Sequence, residues 1–260
     1  MTITNKGRTP PRVDSTLQKG LQILEALATS QRSLGITELS TLLKLNKSNV
    51  HRLIKTLGVM NYVVQDENRS YRASMKLWKL GSSVMSHANL VQLCIGEMNK
   101  LAQKTGESVH LSVLDGLRVL YVEKIDSAQS VRAYSERGGS APLHCTATGK
   151  VLLAYSYDAL REPISKMLLK HTTKTITSIK TLDGEVAAIR NAGYSVNMGE
   201  YRADVGGVAA PIFDSDGKNV AAIGISGPTS RLTKPLIKEF VAIVVASAKT
   251  ASATIASLQR

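Results

Sequence analysis

The sequence predicts an α+β protein in which a small helical module with a hairpin precedes a larger domain built on a mainly antiparallel sheet. Three observations support this prediction. Apolar residues repeat at helical spacing around residue 50, the period changes to two from residue 107 onwards, and an apolar helical stretch follows residue 233. The 260 residues suffice for one large domain or two modest ones, and 43% of them are hydrophobic.

The module begins with a predicted support helix over residues 15–29. Ser15 followed by Gln18 matches a capping box, which places the N-cap at Ser15. Four residues at helical spacing are predicted to point inward: Leu17, Leu21, Leu24 and Ala28. Residues 1–13 are polar, basic and contain proline, so they are predicted to form a flexible arm.

Residues 37–62 are predicted to form two short helices joined by a tight turn, with Thr37 and Asn46 as N-caps. On the first helix, one apolar side consists of Leu39, Leu42 and Leu43. On the second, the spacing i, i+3, i+4, i+7 gives one apolar stripe: Val50, Leu53, Ile54 and Leu57. This stripe is predicted to be buried against the first helix.

The opposite face of the second helix has hydrogen-bond donors and cations and no acidic residue. Its members are Lys47, Ser48, Asn49, His51, Arg52 and Lys55. A helix that reads base edges and contacts phosphates in DNA needs this composition. The alternative is an ordinary solvated face, which many amphipathic helices have.

A predicted hairpin follows, with alternating strands at residues 62–65 and 70–72 around a polar turn at residues 66–69. Two helices followed by a hairpin is the order of a winged helix-turn-helix, and the hairpin would bring Arg69 and Arg72 to flanking phosphates. In the arm, Lys6, Arg8 and Arg12 could touch a groove or a phosphate, or take no part in binding.

The formal net charge of +13 favours a polyanionic partner. Residues 1–85 contain 13 Lys/Arg and 5 Asp/Glu, so the basic excess concentrates in the first third of the chain. Cys94 and Cys145 are far apart and form neither a disulfide framework nor a CxxC pair, which fits a reducing cytoplasm. We expect no membrane span, because no apolar run approaches about 18 residues, and no signal peptide.

A linker helix is predicted over residues 75–87, because its apolar content exceeds what a flexible connection needs: Leu77, Trp78, Leu80, Val84 and Met85. It is expected to pack on the next domain or on a second subunit. For Trp78, core packing is the first expectation and a dimer contact the second. The next helix, over residues 90–104, ends at Gly106 and points four residues inward: Leu90, Leu93, Cys94 and Leu101.

Alternation predicts strands at residues 109–114, 119–125 and 131–134, the first two joined at Asp115-Gly116. Helices are predicted at residues 147–156, 158–169 and 183–191, the last stopped at Gly193. Further strands are predicted at residues 194–197, 208–213 and 220–226. A final helix is capped by Thr233 and has these inward residues: Ile237, Phe240, Val241, Val244 and Ala248.

With these elements in place, the chain resembles the IclR family of bacterial transcriptional regulators from about residue 13 to residue 258. The resemblance rests on GSAPLHCTATGKVLLA at residues 139–154, on GYSV at 193–196, GVAAPIFD at 207–214 and IGISGP at 223–228, and on LNKSNVHRL at 45–53. One departure is Asn46, where the family commonly has proline. Since Asn is a good helix cap, we expect little effect.

The resemblance implies a winged helix-turn-helix at residues 14–74, the linker helix, and a GAF-like effector-binding and oligomerisation domain at residues 88–260. It also implies dimers, or dimers of dimers, that bind palindromic double-stranded operators near catabolic genes and sense small organic acids, often aromatic. By resemblance, one cavity is faced by Leu143, Ala147, Gly149, Asn197, Val205, Gly207, Gly224 and Ser226.

The residues themselves give a physical case for a pocket at the loop-to-helix passage near residue 146. A helix start offers N–H groups and a positive dipole end to a carboxylate. Thr146 and Thr148 add hydroxyl donors, His144 is a third candidate, and Arg202 could pair with an acid. The alternative is that the threonines serve as caps and the glycines serve turns.

Other classes of function fit less well. Adjacent residues of an extended chain point opposite ways, so His144 and Cys145 make a poor catalytic pair. Gly149-Lys150 lacks the Gly and Ser/Thr of a P-loop, and no spacing signature indicates a zinc site. We therefore expect a cytoplasmic, ligand-responsive repressor with no cofactor and no catalysis. The alternatives are a second domain that acts as a metal-dependent or redox module, or an architectural DNA binder without an effector.

Overall fold

A computed structural model of the chain describes residues 14–84, 88–133 and 135–258. The predicted arm with Lys6, Arg8 and Arg12, and also Met85 and Tyr134, lie outside the described residues. The chain divides into two compact units, Met1–Ser86 and His87–Arg260, which are taken separately below.

The first unit is a three-helix module with a two-stranded hairpin and one further helix. Its elements are α1 (Ser15–Thr29), α2 (Ile36–Leu43), α3 (Lys47–Val59), β1 (Val63–Gln65), β2 (Tyr71–Ala73) and α4 (Met75–Val84). Leu34 bridges to Tyr71 and so adds a third short segment to the hairpin. The winged helix-turn-helix predicted for this region is therefore confirmed, and its core joins α1, α2, α3 and β1.

Two predicted caps in this unit are wrong. The N-cap of α1 is Asp14, whose carboxylate accepts from the backbone N–H groups of Thr16 and Leu17, and Ser15 is the first helical residue. Helix α2 begins one residue before Thr37, after Gly35, whose N–H is satisfied by the Glu38 carboxylate 2.8 Å away. Aspartate and serine are both good caps, so the sequence did not distinguish Asp14 from Ser15.

The buried side of α1 also differs from the prediction. Ile23 and Leu27 are buried, whereas Leu17 is 63% and Leu21 49% exposed. The helix has two apolar rows, and the one that packs against α3 is not the one chosen from the sequence. On α2, Leu39 is buried but Leu42 is 62% exposed, while the predicted stripe on α3 is confirmed at Val50, Leu53 and Ile54.

Trp78 on α4 does not pack in the core of this chain, because 68% of its surface is exposed. Met75 on the same helix is 71% exposed and Leu80 is 42% exposed. The first expectation for Trp78 was therefore wrong.

The second unit is a six-stranded antiparallel sheet covered by helices on both faces. Its elements are α5 (Ala88–Thr105), β3 (Ser108–Asp115), β4 (Arg118–Ile125), β5 (Ser140–Pro142), α6 (Ala147–Tyr155), α7 (Tyr157–Ser165), α8 (Ile179–Ala192), β6 (Ser195–Met198), β7 (Val205–Phe213), β8 (Asn219–Pro228) and α9 (Lys234–Leu258). The strand order is β5-β4-β3-β8-β7-β6, with every neighbouring pair antiparallel. The predicted α+β class is confirmed.

Each face of the sheet has its own core. Alternate residues of β3, β7 and β8, such as Leu111, Val208 and Ile223, pack with α5 and α9. The other face, with Ala209 and Ala222, packs with α6, α7 and α8. Because both faces are covered, β3 is buried along most of its length and not on one side only.

The strand expected at residues 131–134 is absent from residues 131–133, and the third strand of that hairpin region is β5. By length and composition alone, α9 could cross a membrane. In the structure one side of α9 packs against the sheet through Phe240, Val244 and Ala248.

Candidate functional site

The outward face of α3 presents the residues predicted to contact DNA. Lys47, Ser48, His51, Arg52 and Lys55 are exposed, and Asn49 is half-buried. The N-cap is Asn46, as predicted, although its side chain makes no capping hydrogen bond. Burial of Val50, Leu53 and Ile54 on the opposite side fixes which way these polar side chains point.

The hairpin places Arg69 and Arg72 differently. Arg69 is exposed in the turn, in a left-handed conformation with φ 58°. The Nε of Arg72 lies 3.1 Å from Oδ1 of Asp66, and the other oxygen of this carboxylate, Oδ2, accepts from the Ser33 hydroxyl. The hydrogen bond from Ser33, with a further one from Arg72, holds the pKa of Asp66 below its ordinary value. Arg72 therefore braces the hairpin as well as lying on its surface.

In the second unit, a cavity of about 200 Å³ opens on the face of the sheet that carries α6. Strand register explains its floor, because Asn197, Gly207 and Ser226 are paired across β6, β7 and β8 in one row. His110 on β3 is paired with Gly224, one alternate position further along the same face. The wall is completed by the start of α6, by the loop after β6, and by residues just before and within β5, among them Glu136.

Eight of the twelve residues predicted to bind an effector line this cavity: Thr146, Ala147, Thr148, Asn197, Arg202, Val205, Gly207 and Ser226. The other four do not line it. Leu143 is fully buried in the core beneath α6, and His144 points to Leu169. Gly149 and Gly224 are packed against backbone: an added Cβ would lie 2.6 Å from Leu143 O and 2.6 Å from Val208 O, respectively.

These contacts explain the glycines in this region by packing. An added Cβ at Gly207, although this residue lines the cavity, would lie only 2.4 Å from the carbonyl oxygen of Ile225. Gly224 has the corresponding close approach to the carbonyl oxygen of Val208. Both are needed where neighbouring strands approach closely.

Thr146 is the N-cap of α6, so its hydroxyl is already used. It donates to Pro142 O at 2.9 Å and accepts from Gly149 N at 3.2 Å. The capping role considered as an alternative is therefore present at Thr146. The N–H groups of Ala147 and Thr148 belong to the first helical turn, which has no intrahelical acceptors, and both residues line the cavity.

His110 is the main lining residue that the sequence analysis missed. Its Nε2 lies 2.7 Å from Ser226 Oγ, and its ring lies 5.1 Å from that of Tyr121, another lining residue. Burial lowers the pKa of His110 to about 4, and burial raises the pKa of Tyr121 to about 12, so both are neutral at pH 7. The available signal was the period of two, which puts His110 on the face opposite Val109 and Leu111.

The loop after β6 forms part of the cavity wall. Tyr201 and Arg202 both line the cavity, with the Arg202 guanidinium carbon 5.8 Å from the Tyr201 ring centre. Asn197 Oδ1 accepts from the backbone N–H of Glu200 at 2.9 Å and so holds the start of this loop. Arg202 and Glu136 are the charged side chains among the described residues that line the cavity.

A cluster of potential metal ligands lies at the other side of the α6 start. The ligand atoms of His144, Cys145 and His171 lie within 4.8 Å of one another. Burial raises the pKa of the Cys145 thiol to about 12, and burial also lowers the pKa of His144. A thiol of this kind is a poor nucleophile at pH 7.

Comparison with known proteins agrees with this architecture. The family model described as IclR helix-turn-helix domain matches residues 16–67, and the model described as bacterial transcriptional regulator IclR C-terminal matches residues 82–253. The chain is 35% identical over 255 residues to the HTH-type transcriptional regulator KdgR of Dickeya chrysanthemi, covering 97% of this chain and 83% of that one.

It is also 31% identical over 242 residues to the transcriptional repressor IclR of Escherichia coli, covering 90% of this chain and 87% of that one. A solved IclR homolog from Microbacterium hydrocarbonoxydans, complexed with 4-hydroxybenzoate, superposes with a TM-score of 0.81. It is 23% identical and covers 94% of this chain and 100% of that one. With both parts of the family matched in order along one sequence, the chain belongs to the IclR family of DNA-binding bacterial transcriptional regulators.

Proposed function

We propose that this regulator represses a catabolic operon and releases its operator when a small organic acid binds in the second unit. The observation that supports this best is the cavity itself, where Arg202 and the first turn of α6 face a polar floor. A guanidinium and the positive end of a helix both favour a carboxylate. The proposal adds an effector and a direction of control to the family membership.

The polar groups that line the cavity limit which class of acid can bind there. Besides the charged Arg202 and Glu136, the lining presents neutral hydroxyl, imidazole and amide groups, among them Tyr121, Asn197 and Ser226. Buried groups of this kind need partners from the ligand, because unsatisfied polar groups are costly. We therefore propose an acid with a hydroxyl or carbonyl group besides its carboxylate. The 4-hydroxybenzoate of the Microbacterium homolog is an acid of this type bound by the same fold.

DNA binding is assigned to residues 14–74, with Arg52 and its neighbours on α3 in the major groove and Lys55, Arg69 and Arg72 on the phosphates. The assigned linker is residues 75–87, and effector binding and oligomerisation fall to residues 88–260. The Nε of Arg72 is bonded to Asp66, and the other N–H groups of its guanidinium can donate to a phosphate at the same time.

We propose that the chain acts as a homodimer or as a dimer of dimers, which a palindromic operator requires. Exposed apolar side chains in the first unit support this, since Leu17, Met75 and Trp78 are each more than half exposed. Met75 and Trp78 are three positions apart on α4 and therefore lie on one side of that helix. On this proposal the protein works in the cytoplasm, where its DNA is, and does not catalyse a reaction.

The test is a mobility shift of the full-length protein on the promoter of its own gene, with single carboxylic acids added in turn. We expect a sequence-specific shift that one hydroxylated acid weakens, and an Arg202→Gln variant that shifts the DNA equally but ignores that acid. No specific shift would overturn the repressor assignment. A shift that no acid alters, together with no acid-induced change in melting temperature, would overturn the effector assignment alone.

A further inference from the structure

The cluster of His144, Cys145 and His171 lies outside the effector cavity, and the proposed function does not use it. His144 and Cys145 close the loop before α6, and His171 lies in the segment between α7 and α8. His171 is 26 positions after Cys145 and 27 after His144. In the folded chain the ligand atoms of all three nevertheless lie within 4.8 Å of one another. His144 and Cys145 are buried, whereas His171 is exposed at the mouth of the cluster.

The orientation of His144 adds an independent observation. Its Nε2 lies 3.1 Å from the carbonyl oxygen of Leu169. A carbonyl oxygen only accepts, so Nε2 must carry the hydrogen, and in the neutral ring the lone pair then lies on Nδ1. Histidines that bind metals are fixed in this way, with the second ring nitrogen donating to a carbonyl or carboxylate.

We propose that His144, Cys145 and His171 bind one divalent transition-metal ion of the zinc class. Two imidazole nitrogens and one thiolate form a donor set that suits zinc, and not magnesium or calcium, which prefer oxygen. Binding releases the thiol proton of Cys145 to solvent, because only the thiolate is a ligand. Three protein ligands leave a fourth position for water.

The ligand atoms have to approach slightly when the ion binds. In a tetrahedral site with bonds of about 2.0–2.3 Å, neighbouring ligand atoms are about 3.3–3.8 Å apart. His171 can make most of this adjustment because it is exposed, while His144 and Cys145 are held by the loop into α6. Of the three side chains, that of the exposed His171 has the most room to move.

A bound ion would also act on the neighbouring cavity wall, a consequence that rests on the proposed function. The His171 ring lies edge-on to Tyr201 with centroids 4.9 Å apart. The hydroxyls of Thr172 and Thr175 donate to the carbonyls of Gly199 and Glu200, at 2.7 and 2.6 Å. Fixing His171 thus fixes the loop that carries Tyr201 and Arg202.

The test is titration of the chelator-treated, reduced full-length protein with Co²⁺, which reports thiolate coordination by a charge-transfer band in the near ultraviolet. We expect a band that saturates at one equivalent and that zinc abolishes. Cys145→Ser should lose the band, whereas the matched variant Cys94→Ser, at the other buried thiol, should keep it. His171 is exposed, so we expect His171→Gln to fold, and this variant should lower the affinity for Co²⁺ by more than about tenfold.

No saturable band in the wild type would overturn the proposal, and so would a band that survives Cys145→Ser or an unchanged affinity in His171→Gln. If Cys145→Ser does not fold, His171→Gln and Cys94→Ser decide the matter. Because neither DNA nor an organic acid is present, this result is independent of the repressor and effector tests. An effector affinity that zinc leaves unchanged would remove only the link to the cavity wall.

Discussion

The Nζ of Lys150 lies 2.7 Å from Oε1 of Glu200, in a place where Lys150 is only 2% exposed. The same ammonium donates to Glu185 Oε1 and to the carbonyl of Val196, each at 2.7 Å. All three of its hydrogens are therefore used, and they join α6, α8 and β6. Burial raises the pKa of Glu200, although the ammonium of Lys150 acts in the opposite direction.

We predict that Lys150→Met destabilises the second unit, because Glu200 and Glu185 lose the cation that compensates their charge. Breaking a buried ion pair by removing one partner costs about 3–5 kcal/mol. Thermal unfolding of the full chain, followed by circular dichroism, measures the effect. Lys166→Met is the matched control, since Lys166 is 71% exposed and its ion pair among the described residues is with the exposed Glu162. Equal melting temperatures for the two variants would show that the buried group adds little.

Arg52→Ala is predicted to lose about 1–3 kcal/mol of specific operator binding, the range for a bidentate contact to guanine. Arg52 is exposed on the face of α3 opposite the buried stripe. Titrating the operator and a scrambled duplex with the protein at one salt concentration separates contacts to bases from sequence-independent electrostatic binding. The loss should appear on the operator and scarcely on the scrambled duplex. An equal loss on both would mean that Arg52 contacts phosphate instead.

Lys55→Ala is predicted to reduce the salt dependence of operator binding, because each phosphate contact adds about one unit to the slope of log K against log salt. The measurement is a set of binding curves at four or more salt concentrations. Lys100→Ala is the control, since Lys100 is 64% exposed on α5, in the other unit. If the slope for Lys55→Ala equals that for Lys100→Ala, Lys55 does not contact a phosphate.

The local patterns of the sequence predicted most elements of both units. The helical stripe at Val50, Leu53 and Ile54 is buried as expected, and the turn at Gly116, which has positive φ, lies where the first two strands of the sheet were expected to reverse. These features depend on neighbours within a few positions. A pattern of that range is visible in one sequence without any knowledge of the fold.

The predictions that were wrong or missing concern residues whose contacts are distant in sequence. Leu17 and Ile23 both have helical apolar neighbours, and only the packing of α1 against α2, α3 and the hairpin decides that Ile23 is buried. His110 was missed because its position beside Ser226 follows from the pairing of β3 with β8, more than 100 residues later. His171 was missed for the same reason, since nothing local indicates its approach to Cys145.

The last prediction concerns pH and His110. Burial lowers the pKa of this imidazole from 6.5 to about 4 in the folded chain. In the unfolded chain the ring takes up a proton as the pH falls below about 6.5. Below that pH the unfolded state therefore binds more protons than the folded state, and the second unit should lose stability steadily until about pH 4. At about 1.4 kcal/mol per pKa unit the loss is at most roughly 3 kcal/mol.

His110→Gln should remove the part of this slope that His110 contributes, because glutamine does not titrate and can still bond to Ser226. His144, whose pKa burial also lowers, should keep its own part. The measurement is the melting temperature of the full chain between pH 7 and pH 4 in buffers of equal ionic strength. His51→Gln, on the exposed face of α3, is the matched control and should keep the wild-type curve. The attribution to His110 would be wrong if its variant kept the same slope as His51→Gln. A carboxylic acid that fills the cavity should stabilise the wild type across this range by mass action, since it binds only the folded chain.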